Sequence, residues 1–136
     1  MMLDLKNIII LAVAFCNFAL GSYVFWRGRT KKVNRSFGYL TFSVVSWCLI
    51  MIVYRLANTA EIGVFWAKLL YLSAACIAYV FLLFTFIFPF SRSSLKPIYK
   101  IFLALPFIFI GISSLIPSWI VKDVILLVGQ EKQIIF

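Results

Sequence analysis

The chain has 136 residues, 65% hydrophobic and 12% charged, where an ordinary soluble domain carries about 45–50% apolar and about 25% charged residues. Its 13 basic and 4 acidic side chains do not coat a water-soluble fold that also holds 15 Phe, 6 Tyr and 4 Trp, so a soluble globule is excluded. With no His, the commonest acid–base group near neutral pH and the commonest metal ligand are missing. The acids Asp4, Glu61, Asp123 and Glu131 each fall at or beyond the end of an apolar run, which leaves no paired carboxylates for hydrolysis. No catalytic residue, metal site or cofactor is expected.

Four charge-free windows follow one another, at residues 7–26, 36–54, 69–91 and 101–121. About 20 helical residues, at about 1.5 Å each, match a hydrocarbon core of roughly 30 Å, so each window is long enough to cross a membrane. The first is not a secretory signal, because Asp4 faces Lys6 in its leader and the basic cluster follows the apolar run instead of preceding it. Asn58 followed by Glu61 has capping-box spacing, which predicts that the third helix starts outside the bilayer and runs from Glu61 to Phe88. A start near Ser93 or Ser94 with Pro97 suits the fourth helix, and Pro106 predicts a kink within it. After the fourth window, 124–128 is apolar and β-branched, 129–132 reads as a turn, and 134–136 resumes a strand-like run. That pattern suggests a hairpin and a chain that continues beyond Phe136. The division expected is a transmembrane part at 1–121 and an extracytoplasmic segment at 122–136.

Basic residues in short loops set orientation. Arg27, Arg29, Lys31, Lys32 and Arg35 lie between the first two spans, and Arg92, Lys96 and Lys100 between the third and fourth. The loops at 27–35 and 91–100 should therefore be cytoplasmic and the N-terminus outside. The net charge of +9 follows from this bias and from contact with the anionic lipid of the bilayer; no nucleic-acid partner is implied.

Helix contact in lipid relies on small and weakly polar residues. Candidates for packing seams are Ala14, Asn17 and Gly21 in the first helix, Ser36, Ser43, Ser46 and the mid-span Trp47 in the second, and Ala67, Tyr71, Ala74, Ala78 and Thr85 in the third; a ligand pocket is the alternative. Asn17 is expected to hydrogen-bond across the bundle. The cysteines Cys16, Cys48 and Cys76 lack CxxC spacing and read as small apolar residues. At the outer ends of helices two and three, Tyr54, Arg55, Glu61, Trp66, Lys68 and Tyr71 gather charge and aromatic surface. Glu61 and Lys68 share a helical face, and Lys68 is placed to snorkel toward Glu61. Interface anchoring explains this group, and an outward-facing mouth for a ligand explains it too.

Asn34-Arg35-Ser36-Phe37 entering helix two, Trp47 within it, Phe65-Trp66-Ala67-Lys68-Leu69-Leu70-Tyr71-Leu72, Phe81-Leu82-Leu83-Phe84 and Phe88-Pro89 together resemble the N-terminal seven-transmembrane region of bacterial sensor histidine kinases. The resemblance implies an all-α integral membrane fold whose four transmembrane helices are the first part of a seven-helix bundle. It implies a sensory input module in the bacterial cytoplasmic membrane, a homodimer through the full-length protein, and a small-molecule, peptide or membrane-protein stimulus. Tyr54, Arg55, Trp66, Lys68 and Tyr71 are the candidate sensing residues. The same kind of region is also seen ahead of diguanylate cyclase domains. A stand-alone four-helix transporter or accessory subunit is the alternative from another class, weakened by the lack of a mid-span acid.

Overall fold

A computed structural model describes residues 4–88, 97–115, 123–125 and 133–135. Four helices follow one another: α1 (Leu5–Arg27), α2 (Lys32–Leu56), α3 (Ala60–Ile87) and α4 (Pro97–Leu115). Helices α1, α2 and α3 are long and apolar enough to cross a bilayer. The described side chains of α4 form a shorter apolar stretch, Ile101–Ser113, within a helix that rises about 28 Å over its 19 residues. The helix continues through Pro106, whose ring nitrogen has no proton to offer the Phe102 carbonyl one turn back. Two short strands, β1 (Asp123–Ile125) and β2 (Gln133–Ile135), pair antiparallel with Val124 opposite Ile134, and β1 lies beside α3. The expected turn at 129–132 and the helix start at Ser93 or Ser94 lie outside the described residues.

The third helix begins one residue from its expected start. Thr59, not Asn58, is the N-cap, and its side chain accepts from the Ile62 amide at 3.4 Å. Glu61 then sits in the first turn, where a carboxylate complements the helix dipole. Glu61 and Lys68 form no ion pair among the described residues. They share a face, but seven residues separate them by about 10 Å along the axis, beyond the reach of a direct pair.

Packing is sequential: α1 lies on α2, α2 on α3 and α3 on α4. The large side chains turn outward, among them Phe15, Trp26 and Phe102, while Ala14, Cys48, Ala67 and Ala75 are buried. Lipid tails are as apolar as Leu, so a large side chain gains little by leaving them, and contact is made where small residues let backbones approach.

The α1–α2 contact has a seven-residue step on both helices. Asn7, Ala14, Gly21 and Gly28 are buried along α1 and its end, while Asn34, Thr41, Cys48 and Arg55 repeat along α2. Gly28 meets Asn34 and Gly21 meets Thr41, and Asn7 bonds Arg55; Ala14 and Cys48, both buried, occupy the step between. Seven residues are close to two helical turns, so this spacing keeps one stripe facing the partner along the whole length. A Cβ added at Gly21 would lie 2.0 Å from Thr41 Oγ1, which is why that step holds a glycine. Aromatic rings flank the stripe: Phe18 and Phe42 are 5.9 Å apart between centroids, and Phe25 meets Phe42 and Tyr39 edge-on at 6.3 and 6.2 Å. Phe37 joins α2 to Phe84 of α3, and Tyr79 joins α3 to Phe107 of α4.

Candidate functional site

The candidate sensing residues lie where α2 ends and α3 begins, at the same end of the layer as the N-terminus of α1. They divide into two groups. Tyr54 is buried and packs with the fully buried Ala67, and Met51, Val64, Trp66, Leu70 and Tyr71 close around them. A residue as small as Ala67 lets the α2 and α3 backbones approach, and Tyr54 fills the space beside it. Trp66 stays half-buried and meets Phe65 edge-on at 5.7 Å. Lys68 is also half-buried, with a stem able to lie along apolar surface while its ammonium reaches out.

Arg55 turns the other way, toward α1. Its Nε donates to Asn7 Oδ1 at 2.8 Å and its Nη2 to Asp4 Oδ2 at 3.0 Å. The planar guanidinium suits this double grip, since it presents several donors in a fixed fork. Asn7 is 4% exposed, so its carbonyl oxygen needs a partner away from water. Asp4 is the more exposed end of the ion pair, and its backbone carbonyl also accepts from the Asn7 amide at 2.8 Å. The result is a polar clamp that ties the start of α1 to the end of α2. Asp4 and Asn7 escape a reading that treats them as leader and window edge. The seven-residue register from Gly28–Asn34 through Gly21–Thr41 to Asn7–Arg55 is the signal in the sequence that points to them.

The opposite end of α1–α2 carries cations. Arg27 bonds the Tyr23 hydroxyl and lies over that ring, and Arg29 lies over Phe25 at 5.8 Å. Asn34 Nδ2 donates at 3.5 Å to the Val24 carbonyl in the last turn of α1, where carbonyls lack intrahelical partners.

The expected packing residues are dispersed. Gly21 lies in the α1–α2 stripe. Asn17 does not reach across: its Nδ2 donates at 2.9 Å to the Val13 carbonyl of its own helix, a bond always within reach one turn back. Ser43 likewise bonds Tyr39 of its own helix, and Trp47 is half-buried. Ser46, Ala74 and Ala78 are exposed; on α3 the buried small residues are Gly63, Ala67, Ser73 and Ala75. Of the three free cysteines, Cys48 is buried and Cys16 and Cys76 are exposed. Ser43, Ser46 and Cys76 border a groove of about 490 Å³ between α2 and α3, and a second of about 340 Å³ lies between α3 and α4. Among the described residues no group of three His, Cys, Asp or Glu is placed to hold a metal.

A family model described as the N-terminal 7TM region of histidine kinase matches residues 9–125. The chain belongs to that family. The resemblance read from Asn34-Arg35, Trp47, Trp66-x-Lys68 and Tyr71 is therefore a true relationship. The match takes in most of α1, all of α2, α3 and α4, and ends at the last residue of β1. Within this histidine kinase 7TM region, Arg55 and the Tyr54–Ala67 cluster fall inside the match, whereas Asp4 and Asn7 precede it. No curated protein and no solved structure matches the chain.

Proposed function

We propose that the chain is the membrane-embedded input part of a bacterial signal-transducing histidine kinase, acting in a two-component system. The observation that carries this reading is the family match over residues 9–125, on a sequence with no His to accept a phosphoryl group. The N-terminus faces out and the loops at 27–35 and 91–100 face the cytoplasm, as the excess of basic residues in those loops supports. Further spans return the chain to the cytoplasm, where ATP is found, and the full-length protein is a homodimer.

The outer end of α1, α2 and α3 receives the stimulus in this reading. Two contacts meet there: the clamp from Arg55 to Asp4 and Asn7, and the cluster of Tyr54, Ala67, Trp66 and Tyr71. A stimulus that favours one arrangement of these contacts over another shifts the balance between two helix arrangements, and only that difference in affinity drives output.

The test is the intact gene product, weighed from its own membrane. Three more spans and a His-bearing cytoplasmic domain support the kinase reading, a cyclase domain keeps the sensory role and changes its output, and a stop directly after Phe136 overturns the reading. In the full-length protein, Trp66→Ala and Lys68→Ala should alter the response to stimulus at unchanged membrane abundance. A parallel fall in abundance would mark both residues as structural.

A further inference from the structure

The groove between α2 and α3 has a charged end. Along α2 it is lined by Tyr39, Ser46 and Ile50, and along α3 by Leu72, Cys76 and Val80. Lys32 and Arg35 precede Tyr39 by two turns and one turn on the same α2 face, since positions 32, 35, 39, 46 and 50 fall within a narrow sector at 3.6 residues per turn. Side chains on a helix lean toward its N-terminus, so both cations extend beyond the groove's end toward the 28–31 loop. Arg27 and Arg29 are engaged by Tyr23 and Phe25. Lys32 and Arg35 have no ion-pair or hydrogen-bond partner for their side chains among the described residues.

The groove's length is also informative. From Tyr39 to Ile50 is about 16 Å of helix, which is about half of a roughly 30 Å hydrocarbon core and so the depth of one leaflet. Its walls are almost wholly apolar, and its cationic end falls where that leaflet's headgroups begin.

We infer that the α2–α3 groove binds one anionic phospholipid, with an acyl chain lying between Tyr39 and Ile50 and the phosphate held by Lys32 and Arg35. Charge complementarity selects the headgroup, and the apolar walls hold the chain. A cation near the membrane surface contributes about fivefold to affinity for anionic lipid, so the pair selects phosphatidylglycerol over phosphatidylcholine. The lipid bridges α2 and α3.

The experiment uses the full chain in mixed micelles with equal phosphatidylglycerol and phosphatidylcholine, the retained lipid being counted by native mass spectrometry. The wild type should keep one phosphatidylglycerol per chain. Lys32→Gln with Arg35→Gln should lower the ratio of the two lipids by about fivefold per cation removed. Arg29→Gln with Lys31→Gln, an equal charge change in the loop, should leave the ratio unchanged. Ser46→Phe should abolish retention of both lipids, and Cys76→Phe repeats the block from α3, with circular dichroism identifying whichever variant keeps its helices. An equal loss in the loop variant, undiminished retention in a folded groove-filled variant, or a lipid-free dimer would each overturn the assignment. Micelle binding depends on neither the direction of insertion nor any output domain, so failure here leaves the sensory reading standing.

Discussion

Gly21→Ala tests the α1–α2 stripe at its tightest step. The added Cβ would lie 2.0 Å from Thr41 Oγ1 and 2.9 Å from Thr41 Cβ, the first about 1.4 Å short of ordinary contact. Thr41 is not free to swing away: its hydroxyl donates toward the Gly38 and Phe37 carbonyls at 2.9 and 3.2 Å, and a change of rotamer leaves Cβ in place. The helices must therefore separate or shift, and forcing one extra carbon into a packed contact costs about 1–3 kcal/mol. Alanine's better helix propensity offsets about 1 kcal/mol, so the expected net loss is about 0–2 kcal/mol, with Gly21→Leu at the upper end or beyond. The decisive quantity is the coupling. Thr41→Gly removes both clashing atoms, so Gly21→Ala should be less harmful on that background than on wild type, by about 1–3 kcal/mol. Denaturation of the micelle-bound chain by sodium dodecyl sulfate, followed by circular dichroism, measures all four corners. Additive effects would refute the close approach at this step.

Arg55→Ala should destabilise the same transition by about 1–3 kcal/mol, because it strands the buried Asn7 oxygen; Asp4→Asn should cost under about 1 kcal/mol, as the ion pair is largely exposed. Arg55→Lys should recover little, since one ammonium does not reproduce the fork; full recovery would show that charge alone holds the clamp. Thr59→Ala should cost about 0.5–1 kcal/mol, the low end for an N-cap because its bond is long at 3.4 Å. Faster amide exchange confined to the first turn of α3 would check it, and unchanged exchange there would show that the cap contributes nothing.

Membrane residence, the number and order of the helices and the family were all legible in the sequence. The reason is that backbone groups in lipid must be satisfied within a helix, so an apolar run of sufficient length leaves few other folds. The 28-residue length of the third helix was legible as well, although Thr59 took the cap expected of Asn58. Side-chain partners were a different matter. Asn17, Ser43 and Thr41 all bond carbonyls of their own helix, because a polar group in lipid has a local acceptor in reach before any neighbouring helix arrives. Arg55, grouped by sequence with Trp66 and Tyr71, faces Asp4 and Asn7 from about 50 positions away. Composition and hydropathy determine that each helix crosses or lies in lipid; which stripe of a uniformly apolar helix touches which neighbour is set by where small residues align across two helices. That alignment is a property of the pair, and only the tertiary structure decided it.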